Sequence, residues 1–350
     1  MKTEVVKINR SKIEKEKITE AGSIIKKGGL VAFPTETVYG LGGDGLNPDS
    51  AKAIYTAKGR PSDNPLIIHI ADMSSLELIV SSIPPIAKKL AEKFWPGPLT
   101  MILPKSEAVP YETTGGLDTV AVRMPRDEIA LELIRQGGGY IAAPSANASG
   151  RPSPTKASHV YEDLSGKIEM IIDGGEVGIG VESSIIDLTG EVPTILRPGY
   201  ITKEMLEEII DKVEYDPALT CVTGDIKPKA PGMKYRHYAP KAKLTVVEGD
   251  RTSVNNSMTK FILQNKTKGI KTGIICDSSD QALFWGADYT ISVGSVDNKE
   301  EVARRLYDAL REFDTTDVDE IYSVSFGDEG LSVAIMNRLL KAAGQNVIKV

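Results

Sequence analysis

Short apolar runs alternating with helical stretches constrain this chain more than any other feature. LVAF (30–33), LIIHI (66–70), LTMIL (99–103), TVAVRM (119–124), YIAA (140–143), MIID (170–173) and SIIDL (184–188) have the length of buried strands. All fall far short of the ~18 residues of a membrane span. Residues 13–27 read as a helix with Ile18, Ala21 and Ile25 on one face and Gly28–Gly29 as its stop. Asn47 and Pro48 open a second helix that runs to Lys58, and PIAKKLAEKFW (85–95) forms a third, ended by Pro96. Residues 127–136 and 203–211 also look helical. Some strands follow one another directly, which predicts a mixed α/β sheet rather than a strictly parallel one.

The rhythm breaks between 211 and 241. That stretch ends in IKPKAPGMKYRHYAPK, with three prolines and no periodic apolar face, and reads as a linker. Strands are then expected at 243–247, 272–276, 289–293 and 320–324, with helices at 251–266, 298–313 and 329–343. Asn298 and Glu301 can cap the helix that presents Val302, Leu306, Ala309 and Phe313. The expected organisation is a mixed α/β domain at 1–210, a linker at 211–241, and a small doubly wound, Rossmann-like domain at 242–350. A length of 350 residues suits two domains.

Composition removes several function classes. Lys and Arg number 42 against 48 Asp and Glu, a net charge of −6, which argues against a wholesale nucleic-acid wrapper. Cys221 and Cys276 form neither a CxxC motif nor a disulfide framework, and three histidines make a zinc cluster improbable. The opening MKTEVVKINRSKIEKEK has no secretory apolar core, so a soluble cytoplasmic protein is expected. Gly40, Gly42 and Gly45 match GxGxxG, but six residues separate Phe33 from the first glycine and the helix starts only near Pro48. A flexible loop is the expected reading. No GxxxxGK[ST] P-loop occurs.

Polar residues instead gather after strands, where α/β sheets build sites. PTETVYGLG places Thr35, Glu36 and Thr37 on a glycine-flanked loop. AKGRPSDNP puts Lys58 and Arg60 beside Asn64, a pairing that suits either a polyphosphate or a solvated helix C-terminus. His69 lies inside LIIHI, where a satisfied core or edge histidine is a more natural reading than a functional one. Arg123, within an apolar strand, needs an anion: a structural Asp or Glu, or a ligand carboxylate. PSANASGRPSPT offers Ser145, Asn147, Ser149 and Ser153 to phosphate oxygens, or forms an ordinary surface turn. Ser183 and Arg197 stand beside later strands. Lys227, Lys229, Lys234, Arg236 and Lys241, interleaved with Tyr235, His237 and Tyr238, form a basic connector, an RNA-contacting strip or a flap.

Taken in order, PTETVYGLG, AKGRPSDNPLIIHI, FWPGPLT, VAVRMP, APSANASGRPSPT, VESSIIDL and LRPG resemble the YrdC-like domain of L-threonylcarbamoyl-AMP synthases. PGMKYRHYAP followed by a small α/β domain resembles the two-domain members of that family. The resemblance implies that L-threonine, bicarbonate or CO2, and ATP give threonylcarbamoyl-AMP and pyrophosphate, ahead of a downstream tRNA threonylcarbamoyl-transferase machinery. By similarity, Lys58, Arg60, Ser145 and Asn147 are catalytic, and Ser153, Asn64, Thr119, Arg197 and Tyr235 complete the ATP site. Thr37, His69, Arg123, Ala143 and Ser183 match the threonine pocket, with Arg123 as carboxylate clamp and Tyr235 on a lid. Mg2+ is expected on the ATP phosphates, with no dedicated protein metal site and no membrane partner. The rival class is a non-enzymatic RNA-binding protein, for which direct tRNA contact is the counterpart expectation. Residues 1–200 weigh against it, with 22 basic and 25 acidic side chains.

Overall fold

The structure, a computed structural model, describes residues 1–219, 230 and 238–350. The chain divides into two compact units, Met1–Ser149 with Ser153–Tyr235, and Gly150–Pro152 with Arg236–Val350.

The first unit is built on strands β1 (Glu4–Lys7), β2 (Val31–Phe33), β3 (Gly40–Asp44), β4 (Ile67–His69), β5 (Leu99–Pro104), β6 (Thr119–Arg123), β7 (Ile141–Ala142), β8 (Met170–Asp173), β9 (Ser184–Asp187), β10 (Thr194–Arg197) and β11 (Glu214–Tyr215). Among the described residues they form one sheet in the order β1-β8-β2-β3-β7-β4-β6-β5-β9-β10-β11. β4 and β6 run parallel, β5 and β6 antiparallel, β5 and β9 parallel, which makes the sheet mixed as the direct strand successions imply. Ile68, Val120, Val122, Met101, Leu103 and Ile186 point to one face and join the main core with Ile18, Ile25, Leu90, Ile129 and Leu133 of the helices.

The flexible-loop expectation for the GxGxxG segment is overturned, because Gly40–Asp44 is β3, an inner strand between β2 and β7. A Cβ on Gly42 would lie 2.8 Å from Ile141 Cγ2 and 2.9 Å from Phe33 Cε1. The glycines permit close packing across neighbouring strands rather than loop mobility. Glu4–Lys7 was not anticipated because only Val6 of it is buried, so no apolar run marks it. The helix expected at 203–211 stops at Glu207. Within 211–219 the chain forms β11 and a short 3-10 turn, Pro217–Leu219, rather than uninterrupted linker.

Helix Lys15–Lys26 packs against helix Glu128–Gln136 at Gly22, where a Cβ would sit 2.6 Å from the carbonyl carbon of Gln136. Gly22→Ala gains about 1 kcal/mol of helix propensity. Overpacking against backbone costs about 1–3 kcal/mol and sits here at the upper end. A net loss is expected, seen as a lower urea midpoint with an unchanged slope.

The second unit contains β12 (Lys243–Glu248), β13 (Thr272–Cys276), β14 (Tyr289–Ser292), β15 (Glu320–Val324) and β16 (Val347–Lys349). They make a parallel sheet in the order β14-β13-β15-β12-β16, with helices Arg251–Thr267, Lys299–Phe313 and Leu331–Ala342 between strands. Asn298 caps its helix by accepting the Glu301 N–H at 3.2 Å, and Val302, Leu306, Ala309 and Phe313 are buried as their spacing predicts. β16, short and half-buried, escaped the sequence pattern, as did the 3-10 turn Gln281–Phe284. Among the described residues no helix is long and apolar enough to cross a membrane.

Candidate active site

Strand register collects the polar candidates on the face opposite the main core. His69 pairs with Arg123, Arg123 with Thr100, Thr100 with Ile185, and Ile185 with Arg197. Side chains alternate along a strand, so Thr119, Ala121 and Arg123 share this face. Its apolar part is a small cluster of Ile67, Ile102, Ala121, Ile185, Leu196 and Ala230. Of the rest, His69, Thr100, Arg123 and Arg197 are polar and buried, and Thr119 is half-buried.

Arg123, 4% exposed, donates from Nη1 to Thr37 Oγ1 at 3.0 Å and from Nε to the Gly97 carbonyl at 3.3 Å. Its Nη2 faces Glu36 Oε1 at 2.8 Å. Of the two alternatives left open for Arg123, the structural one is met: a protein carboxylate stands beside it. Thr37 is held in turn by Thr35, whose hydroxyl lies 2.9 Å away and also accepts the Thr37 and Val38 amides. This side-chain-to-backbone wrapping turns PTET sharply at the end of β2.

His69 is buried, with Nδ1 3.1 Å from the Ile67 carbonyl and its ring edge-on to Phe33. Burial, and then the Arg123 charge, lower its pKa to about 3, so the ring is neutral at physiological pH. Its unfolded pKa is ~6.5, so the unfolded chain takes up a proton between about pH 6.5 and 3 that the folded chain refuses. The stability tied to His69 is present above pH 6.5 and lost as pH falls towards 3. His69→Asn keeps a donor for Ile67 but cannot titrate. The variant is expected to lose less stability than the parent between pH 7 and pH 4, measured as urea midpoints.

Ser183 Oγ lies 2.8 Å from Thr100 Oγ1 and accepts from Arg197 Nη2 at 3.1 Å, while Arg197 Nε donates to the Ser183 carbonyl at 3.0 Å. Thr100 was missed from sequence, because a threonine inside LTMIL reads as an ordinary strand residue until its register is known.

Lys58 ends helix Pro48–Lys58, which Asn47 caps at the start and left-handed Gly59 (φ 61°) closes. It is 4% exposed, not solvated, and its ammonium donates to the carbonyls of Ser145 and Asn147. Arg60 Nη2 donates to the carbonyls of Asn64 and Pro65 at 3.1 and 3.2 Å. The serine-rich loop is not an ordinary surface turn. Ser145 bridges to Gly40, the Ala146 amide bonds Tyr39, and the Ser149 amide bonds the Lys58 carbonyl at 2.9 Å. Asn147 and Ser153 are buried, and Ser153 donates to Glu182, a second acid that sequence reasoning passed over. The Ala143 amide donates to Ile67, which fixes the loop beside His69. Asn64 is buried, with no hydrogen-bond partner for its Oδ1.

Thr119 is set apart, four residues and roughly 13 Å up β6 from Arg123. Tyr235 and the basic cluster around it lie outside the described residues, apart from Tyr238 and Lys241. Cys276 is buried with its thiol pushed up to about 12 by desolvation, which leaves it inert.

The arrangement combines buried cations and hydroxyls with fixed backbone groups, suited to holding anions of more than one kind. The family model described as telomere recombination matches residues 23–199, and the model for the threonylcarbamoyl-AMP synthase C-terminal domain matches residues 201–344. A threonylcarbamoyl-AMP synthase of Pyrococcus abyssi is 53% identical over 97% of this chain and 98% of its own. One of Bacillus subtilis is 49% identical over 95% and 94%. The crystal structure of P. abyssi Sua5 complexed with L-threonine superposes with a TM-score of 0.95 at 52% identity, covering 99% of this chain and all of that one. With both domain models matched and near full-length relatives at this identity, the chain belongs to the threonylcarbamoyl-AMP synthase family, enzymes of the nucleotidyl-transfer type.

Proposed function

We propose that this enzyme makes L-threonylcarbamoyl-AMP and pyrophosphate from L-threonine, bicarbonate or CO2, and ATP, as the first step of tRNA threonylcarbamoyladenosine formation in the cytoplasm. The observation that carries the proposal is the register that sets Arg123, His69 and Ser183 on one polar face beside the loop bonded to Lys58. The P. abyssi structure, solved with L-threonine, supports the amino-acid half of the reading.

In this reading the threonine carboxylate goes to Arg123, with Thr37, Ser183, neutral His69 and the Ala143 backbone closing the pocket. Arg60, Lys58, Ser145, Asn147 and Ser153 take the triphosphate. Asn64, Arg197 and Thr119 hold the nucleoside end, and the ~13 Å between Thr119 and Arg123 suits a bound nucleotide lying along β6. Tyr235 closes over the ATP from the 211–241 stretch. The carbamate oxygen attacks the α-phosphorus and pyrophosphate leaves with the P–O bonding pair. The groups named here position the reactants and stabilise charge, and no covalent enzyme intermediate is needed.

Among the described residues no three His, Cys, Asp or Glu side chains converge as metal ligands. Mg2+ held by ATP oxygens and water would neutralise phosphate charge. The product passes to a tRNA threonylcarbamoyl-transferase machinery, and tRNA itself is a partner to test by salt-dependent binding.

The test is pyrophosphate release from Mg-ATP with threonine and bicarbonate, each omitted in turn. Release that requires all three is the expected result. Release without threonine would overturn the proposed acceptor.

A further inference from the structure

Glu36 sits within the proposed pocket, yet the reaction as described leaves it unused. Its carboxylate is 10% exposed and stands 2.8 Å from Arg123 Nη2. Among the described residues neither carboxylate oxygen nor that nitrogen completes a hydrogen bond, and all three are closed to solvent. Two buried opposite charges stand in contact, each with hydrogen-bonding capacity still unused. The loop that presents Glu36 is itself fixed: the Glu36 and Thr37 carbonyls accept the amides of Ile179 and Gly180 at 2.9 and 3.0 Å.

An α-amino acid carries a carboxylate and an ammonium on one carbon. A guanidinium and a carboxylate side by side are the complement of that head group. We propose that Glu36 and Arg123 form a zwitterion receptor in which the substrate carboxylate goes to Arg123 and its ammonium to Glu36, which also takes the ammonium proton. The inference rests on the threonine reading above. Entry of the amino acid parts the existing ion pair and replaces it with two. One N–H proton moves from nitrogen to a Glu36 oxygen. The freed lone pair forms the N–C bond to CO2, a C=O bonding pair moves onto oxygen, and the second proton leaves to solvent as the carbamate forms. The charged groups that bear on this exchange are Arg123 on β6 and Asp127 beyond it, which pairs with Arg10. His69 on β4 stays uncharged.

The experiment compares binding of L-threonine and of 3-hydroxybutanoate, which keeps the carboxylate and hydroxyl but has hydrogen in place of the ammonium. Both are titrated calorimetrically into the full chain and its Glu36→Gln and Glu36→Asp variants. Glu36→Gln is expected to weaken threonine by about 30-fold or more and 3-hydroxybutanoate by no more than about threefold. Its pyrophosphate release should recover as pH rises from about 7 to about 9 and supplies free amine from solution. Glu36→Asp should restore part of both. Parallel weakening of the two probes, with an unchanged pH profile, would overturn the receptor and leave Glu36 as a brace for Arg123. If Glu36→Gln does not fold, judged by thermal unfolding, Glu36→Asp carries the same comparison. Parent protein that binds a different α-amino acid, with affinity lost in Glu36→Gln, would retire threonine and keep the receptor. No affinity for any amino acid would overturn both.

Discussion

Replacing Arg123 by alanine is expected to raise the threonine concentration for half-maximal activity by about 100-fold or more, and that for ATP by less than about threefold. The asymmetry follows from where the guanidinium lies. It is nearly closed to solvent, held by the Gly97 carbonyl and Thr37, and paired in register with His69 and Thr100, while the Lys58 ammonium bonds the Ser145 and Asn147 carbonyls of a different loop. A fork-shaped cation fixed on two sides keeps its geometry for a carboxylate, and little of its rotamer freedom remains to be lost on binding. The alanine variant has one complication, because it strands the buried Glu36 carboxylate. Removing one partner of a buried pair costs about 3–5 kcal/mol. Arg123→Lys separates that penalty from lost binding, since it keeps a charge beside Glu36. Steady-state kinetics with each substrate varied in turn provide the check. Equal effects on the two substrates in both variants would contradict the clamp.

How much of this was legible beforehand depends on which interactions are local. Helix Pro48–Lys58 could be read from Asn47 and Pro48, because N-terminal capping is settled within a few residues. The buried strands could be read from runs such as TVAVR. GLGGD could not, because its reason for being a strand is the Phe33 ring and the Ile141 side chain lying where Cβ atoms would be. Those neighbours are set by sheet order, which no window of sequence contains. The same holds for the site. Thr37, His69, Arg123, Ser183 and Arg197 were named from motifs, but their meeting on one face follows from a register of five strands. Glu36 and Glu182 went unassigned although both lie inside the motifs. What marks them is the partner across space, Arg123 for one and Ser153 for the other. An acid in a polar loop carries no sign of being buried.

Arg60→Ala is expected to lower kcat/KM for ATP by about 10²–10³, the loss that follows removal of one preorganised charge-stabilising donor. Lys58 is the less informative target, since its ammonium binds the Ser145 and Asn147 carbonyls and its removal leaves buried acceptors bare. Arg60 is half-buried and its Nη2 donates to two carbonyls of its own loop, so alanine there should cost about 1 kcal/mol of stability. Negative charge accumulates on the leaving pyrophosphate in the transition state beyond what ATP carries in that bond at rest. A guanidinium at the departing phosphates therefore acts more strongly on the transition state than on the bound substrate, and the loss should fall mainly on kcat. The measurement pairs pyrophosphate release at varied ATP with urea unfolding. A small shift in midpoint together with a large fall in kcat would place Arg60 on the phosphates. A rise in KM with kcat intact would reduce its role to binding ATP, and unchanged release would remove it from the reaction.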